Sequence, residues 1–357
     1  MRLPSPRGPM SRWCVDAMTG ASPPDTLDAA TVGLAEVDPL TDDDVQLALW
    51  MLYELHYQGF DEVDPALEWE PRLLGARREI ERRFEAALRE RTDATVDAAV
   101  ADSEGSADIA GALFGLCADD DAPDVLTHLH RSGDRSRLLE LLAHRSVYQL
   151  KEADPHTWMM PRLRGAAKAA LLEIQYDEYG AGRAEDIHAT LFADTLEACG
   201  LDNGYGAYVE DAPGATLAIS NTGSMFGLHR RLRGAAAGHF AAVEATSSLP
   251  SRRMSATLER FGFGAAATRF YDEHVEADAV HEQVATRGLC GSLVEQHPEL
   301  RRDVFFGAAA CLLVESRFAH AVLTAWQEGS PSLRRSAPDG SRAERATPHL
   351  AGQWAAG

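Results

Sequence analysis

The sequence predicts an all-α protein. Apolar residues recur at three- and four-residue steps through almost every ordered segment, and alternating β-branched runs bounded by turn signals are missing. A first helix begins near Thr41, a suitable N-cap, and carries Val45, Leu49, Leu52 and His56 on one face. A second carries Leu73, Ala76, Ile80, Phe84 and Ala87. These two form an N-terminal helical appendage over residues 39–107, of which 91–107 is polar and acidic enough for a linker or a frayed helix end. Residues 1–38, rich in Pro, Ser, Gly and Asp, are expected to be a disordered leader, and 329–357 a disordered tail. The body is 108–328. There one helix covers 135–153 and stops at Asp154-Pro155, because proline disfavours a helical conformation in the residue before it. The next starts near Pro161 and ends at Tyr179-Gly180. Further helices over 184–198, 223–245, 266–285 and 303–326 complete a bundle of six or seven.

Composition narrows the function. A chain of 357 residues with 45% hydrophobic content can fill a sizeable core without disulfides. A formal charge of −21 argues against nucleic acid and anionic membranes, which are held largely through Lys and Arg. The five cysteines are odd in number, scattered and never C-x-x-C, which fits a reducing cytoplasm and buried small hydrophobes. No run approaches the roughly 18 apolar residues of a membrane span, and Arg2, Arg7 and Arg12 have no apolar core behind them as a signal peptide would. The apolar faces around Leu49 and Ile80 could seal a partner or the bundle, so a homodimer is expected.

Helix phase then singles out charged residues on faces that should be buried. Leu163, Ala167, Ala170, Ile174 and Glu178 follow one another at helical steps, so Glu178 continues an apolar stripe. Phe270, His274, Ala277, Asp278, His281 and Val284 share a face, with His274, Asp278 and His281 within about 60° of one another at 100° per residue. Glu244 lies one turn beyond Phe240 and Ala241 and faces the same way. Buried charges need compensation. Two divalent ions would balance the four carboxylates Glu152, Glu178, Glu244 and Asp278, with neutral His188, His274 and His281 completing the shells. An oxygen-rich set with a minority of imidazole suits iron or manganese, and ligands facing inward from several helices are how bundles build such sites. The remaining histidines, His156 and His239 among them, read as structural or surface groups. Arg231 and Arg233 read as surface salt bridges or as contacts for an anionic substrate group.

The words Tyr148-Gln149-Leu150-Lys151-Glu152-Ala153-Asp154-Pro155-His156, Asp177-Glu178-Tyr179-Gly180 followed by His188, and the run from Asp272 to His281 resemble the haem-oxygenase-like di-iron oxidase family, over roughly 110–328 and nearest to its N-oxygenating branch. The resemblance implies a haem-oxygenase-like helical bundle that binds two Fe ions (Fe2+/Fe3+) and uses O2 as co-substrate, a mixed Mn/Fe pair being left open. It implies that Glu152 and His188 help hold one iron, that Glu244 serves the other, that His274, Asp278 and His281 divide between them, and that Glu178 is an additional or bridging carboxylate. An external electron donor is left open. The leading reading is an oxygenase or oxidase acting on a small organic molecule, with N-oxygenation of an amino-acid-like amine favoured. Desaturation, C–C cleavage or decarboxylation of an amino or fatty acid is the alternative within the class. The others are a ferritin-like iron-binding protein and a metal-free relative of the thiamine-degrading helical enzymes, for which Cys199 would be the nucleophile.

Overall fold

The computed structural model describes residues 1–21, 36–104 and 108–335. Among these the protein is all-α, with twelve helices of eight residues or more: α1 (Pro9–Met18), α2 (Asp43–Glu54), α3 (Pro71–Glu104), α4 (Ile109–Ala118), α5 (Val125–Ser132), α6 (Arg135–Gln149), α7 (Gly165–Glu178), α8 (His188–Ala198), α9 (Gly214–Leu228), α10 (Arg233–Arg260), α11 (Ala265–Gln283) and α12 (Arg301–Gln327). A π-helical stretch, Val284–Gly291, continues α11. Asp42, Asp108, Asp124 and Asp134 cap α2, α4, α5 and α6, each carboxylate accepting a backbone N–H of the first turn that has no partner within the helix.

The apolar core is built around α10, which packs along both α11 and α12, while α3 and α9 lie against α12. Helices α10 and α12 meet through small residues. A Cβ on Gly238 would fall on the Val304 carbonyl, so the two backbones touch where only a hydrogen fits. Gly238→Ala is expected to lower stability by roughly 1–3 kcal/mol, read as a lower urea midpoint at unchanged slope, because the helices must separate.

Several boundaries differ from the sequence-based ones. Residues 9–18 are a helix rather than part of a disordered leader. Pro9 occupies the first turn, the Asp44 carboxylate accepts the Met10 and Ser11 N–H groups, and Trp13, Cys14 and Met18 enter the core. The proposed linker at 91–107 is the second half of one 34-residue helix as far as Glu104. Its buried stripe runs on through Leu88, Thr92, Val96, Ala99 and Ser103, whose small polar members disguise it; residues 105–107 lie outside the described residues. The helix expected over 223–245 is two helices, broken where Arg162 donates to the carbonyls of Gly227 and Leu228 and so caps the end of α9. Residues 330–335 of the proposed tail fold back, with Leu333 buried and the Glu140 carboxylate accepting its N–H at 3.0 Å; 336–357 lie outside the described residues. Leu49 and Ile80 are buried within the chain itself, so these faces seal the bundle. One helical segment, Pro298–Gln327, is long and apolar enough to cross a membrane by composition, contrary to the shorter run read from sequence, but 61% of its apolar window is buried inside the bundle.

Candidate metal centre

The predicted ligands come from five places in the chain. Glu152 sits in the turn just after α6 rather than in its last turn, Glu178 is the last residue of α7, His188 the first of α8, Glu244 lies mid-way along α10, and His274 and His281 lie on α11. The chain between Glu178 and His188 reverses through a left-handed turn. Gly180, at φ 72°, has the Ile187 nitrogen 2.6 Å from where a Cβ would stand, and Tyr179 and Ile187 form an isolated antiparallel bridge. The two residues flanking that bridge are Glu178 and His188, whose Oε2 and Nδ1 stand 3.0 Å apart.

Two triads result. Glu178, His188 and His274 can bring one ligand atom each within 4.8 Å of one another, and so can Glu178, Glu244 and His281. All five residues are buried, and Glu178 belongs to both sets. Glu152 joins the first, its Oε2 lying 3.7 Å from His274 Nε2, while His281 Nδ1 faces Glu244 Oε2 at 3.5 Å. Asp278 is on α11 between His274 and His281, but its side chain lies outside the described residues.

The donor atoms fit a cation. Glu152 Oε2 is buried without a hydrogen-bond partner, and Glu178 Oε2, His188 Nδ1 and His281 Nδ1 meet only other members of the cluster, at ion-pair distances without good hydrogen-bond geometry, an arrangement native interiors rarely tolerate unless something else meets those lone pairs. Burial works against the Glu178 charge, but His188, His274 and His281 around it prevail and hold its pKa down at about 2. Burial raises the pKa of Glu244, against the pull of His281 and with the push of Glu178 and Glu152. Burial would lower His281, yet Glu244 and Asp177 together raise it to about 9.

The back of each α11 imidazole is held as well. His274 Nδ1 donates to the Phe270 carbonyl at 2.7 Å, which turns Nε2 toward Glu152. His281 Nε2 bonds the Asp177 carboxylate at 3.1 Å, leaving Nδ1 to face the centre. Asp177 is half exposed and its helix phase points outward, so nothing local marks it; only the fold brings α11 across to it. Asp177→Asn is expected to weaken metal binding about 10- to 100-fold in a chelator competition, because the imidazole loses its orienting carboxylate.

The other side chains singled out in the sequence fall elsewhere. Arg231 is exposed and paired with Glu85, the surface salt bridge that was one of its two readings, and Arg233 is half-buried at the start of α10; neither lines the cavity beside the ligands. His239 lines that cavity and is buried beside His156, Nε2 of His156 lying 3.5 Å from Nδ1 of His239. Cys199 is raised to about 12 by burial, the opposite of a reactive thiolate. Lys151, next to Glu152, is fully buried, its Nζ 2.9 Å from Glu54 Oε2 on α2 and 4.5 Å over the Tyr57 ring; Tyr205 donates to the same carboxylate at 3.0 Å. The cavity, of about 250 Å³, lies between α6, α10, α11 and α12 and reaches Glu152 and His274.

A helical bundle with buried carboxylates and imidazoles converging beside a small cavity is the kind of frame in which bundle proteins hold metal ions. Residues 139–316 match the profile of the family described as iron-containing redox enzymes, and through this segment the chain belongs to that family. By that description it is a family of oxidoreductases that contain iron. The chain is similar to the nitrosourea synthase of Streptomyces achromogenes subsp. streptozoticus, 26% identical over 210 residues that cover 57% of this chain and 44% of that protein. It therefore spans less than half the length of that relative. A CADD-like protein of unknown function from Nostoc punctiforme superposes with a TM-score of 0.47 at 18% identity, covering 59% of this chain and 94% of the other.

Proposed function

We propose that the chain binds two iron ions through Glu152, Glu178, His188, Glu244, His274, Asp278 and His281 and uses them with O2 to oxidise a small organic molecule, N-oxygenation of an amine-bearing acid being the favoured reaction. The observation that carries this reading is that Glu178 belongs to two ligand triads at once, as a carboxylate bridging two cations would. The nitrosourea synthase relative, named for a product with an oxidised nitrogen, favours nitrogen as the atom attacked. Bound ferrous iron would supply the electrons that reduce O2.

The chain's own groups supply the rest. Phe270 closes one side of the centre, its ring 4.2 Å from His274 and 5.0 Å from Phe192, and keeps water from the imidazoles. Tyr148 lies close enough to Glu152 and Glu244 to feel their charge, and burial together with those carboxylates keeps its hydroxyl protonated. It can therefore donate a hydrogen bond to a group bound in the cavity. The reading is tested by loading the protein anaerobically with Fe(II), counting iron per chain and following O2 consumption as amines, amino acids and fatty acids are added. Two irons, O2 uptake quickened by an amine-bearing acid and a product heavier by one oxygen atom are expected. Acceleration by fatty acids alone would refute the choice of substrate, and slow iron oxidation indifferent to every additive would favour iron storage.

A further inference from the structure

The cavity holds a second set of polar groups that do not belong to the metal centre. Leu141, Arg145, Tyr148 and Glu152 follow at steps of four, three and four, so one stripe of α6 and the turn after it runs along the cavity wall and ends at a ligand. Arg145 gives two N–H bonds to Glu315 on α12, at 2.8 and 2.9 Å, and its guanidinium rests on the Phe318 ring at 4.7 Å. Side-chain exposures of 28% and 32% leave this pair partly open. A guanidinium has five N–H donors, so Glu315 does not exhaust it. Tyr148 and Tyr271, both more than nine-tenths buried, line the same wall near enough to Arg145 to interact with its charge. Their hydroxyls, like Gln149 Oε1, are buried without a hydrogen-bond partner.

We infer that this group is a receptor for the head of a free α-amino acid, which rests on the proposed function and names how its substrate is held. The carboxylate would lie on Arg145 and the tyrosine hydroxyls, and the ammonium on Glu315 and Gln149 Oε1. An ion pair is matched by a ligand carrying both charges on neighbouring atoms; a simple amine or a simple acid answers one half and leaves the other without a partner. Four residues of α6, about 6 Å at 1.5 Å per residue, and then the turn that follows it separate Arg145 from Glu152. The α-amine is thus held away from the metal centre, and the atom presented to it belongs to the amino-acid side chain.

Isothermal titration of the full chain with each of the twenty standard L-amino acids, with and without anaerobic Fe(II), tests this. At least one should bind, and its decarboxylated amine and its N-acetyl derivative should each bind about tenfold more weakly or worse. Arg145→Met and Glu315→Gln should abolish that binding, and Tyr271→Phe, which removes one hydroxyl and keeps the ring, should weaken it several-fold, all three at unchanged iron content. If no amino acid binds, if the amine binds as well as the amino acid, or if Tyr271→Phe and Arg145→Met titrate like the parent, the receptor is refuted. Iron content and O2 uptake are measured separately. A protein that takes up iron and O2 but no amino acid overturns the receptor alone, whereas one that binds an amino acid but no iron overturns only the metal reading.

Discussion

Glu178→Ala is expected to reduce iron content from about two per chain to near zero after anaerobic loading and desalting, while His188→Ala and Glu244→Ala each retain about one. The asymmetry follows from the triads: His188 belongs to one, Glu244 to the other, and Glu178 to both. Removing the shared carboxylate also removes the negative charge that His188, His274 and His281 surround, so the remaining ligands face one another with less to hold a cation between them. Elemental analysis read beside the far-ultraviolet circular dichroism of each variant decides the matter. If Glu178→Ala keeps one iron as firmly as His188→Ala does, the two triads are independent sites and the bridging role is wrong.

Iron-free protein is expected to lose stability steeply between pH 7 and pH 5. Three buried histidines are held neutral by burial, His144 and His156 at about 3 and His239 at about 4, against 6.5 in the unfolded chain. Their folded pKa values are depressed, so the unfolded state binds more protons throughout that window. The stability they contribute is complete above 6.5 and drains away as pH falls toward 4 and then 3. At pH 5 each costs about 2 kcal/mol, which exceeds what surface groups change over the same range. Glu178, lowered to about 2 chiefly by its histidine neighbours in spite of burial, adds a further loss only below its unfolded value of 4.5. His281 acts in the opposite sense: raised to about 9, its contribution is present below 6.5 and is lost as pH rises through 9. Urea midpoints should therefore peak near neutrality and drop toward pH 5, and His239→Gln should flatten part of that drop. A midpoint unchanged from pH 7 to pH 5 would show that these imidazoles reach water.

Much of this centre could be read from helix phase because a charged residue on an apolar stripe is a local signal. Glu178 and His274 announce themselves through Ala170, Ile174 and Phe270, four to eight residues before them. Glu152 and His188 lack such a stripe, and helix phase does not mark them; the charge balance and the resemblance of the surrounding words do. Asp177 could not be found in this way, since its partner His281 lies 104 residues away. Arg233 shows the limit of the method. It shares the phase of Glu244 to within about 20°, but eleven residues of helix put it about 16 Å along the axis, outside the cavity. Arg145, which does reach the cavity, sits on an ordinary amphipathic helix, where its charge draws no attention. The same distinction holds for the fold. The apolar periodicity of α3 was visible as far as Ala87, but the interruption between α9 and α10 is imposed by Arg162, a side chain 65 residues upstream.

The Lys151–Glu54 pair bears on how separable the parts of this chain are. The segment matching the family begins at residue 139, so anyone trimming the chain to that boundary, or grafting it behind another leader, would discard α2 and with it Glu54. What remains would carry a lysine that had been wholly enclosed, stripped of its counter-ion and of the Tyr57 ring beneath its ammonium, one peptide bond from Glu152. An abandoned interior charge costs several kcal/mol and finds relief by swinging out to solvent. In this chain that movement would drag the neighbouring carboxylate with it. Modular swapping is therefore expected to fail at the metal before it fails at folding, unless Lys151→Met accompanies the cut.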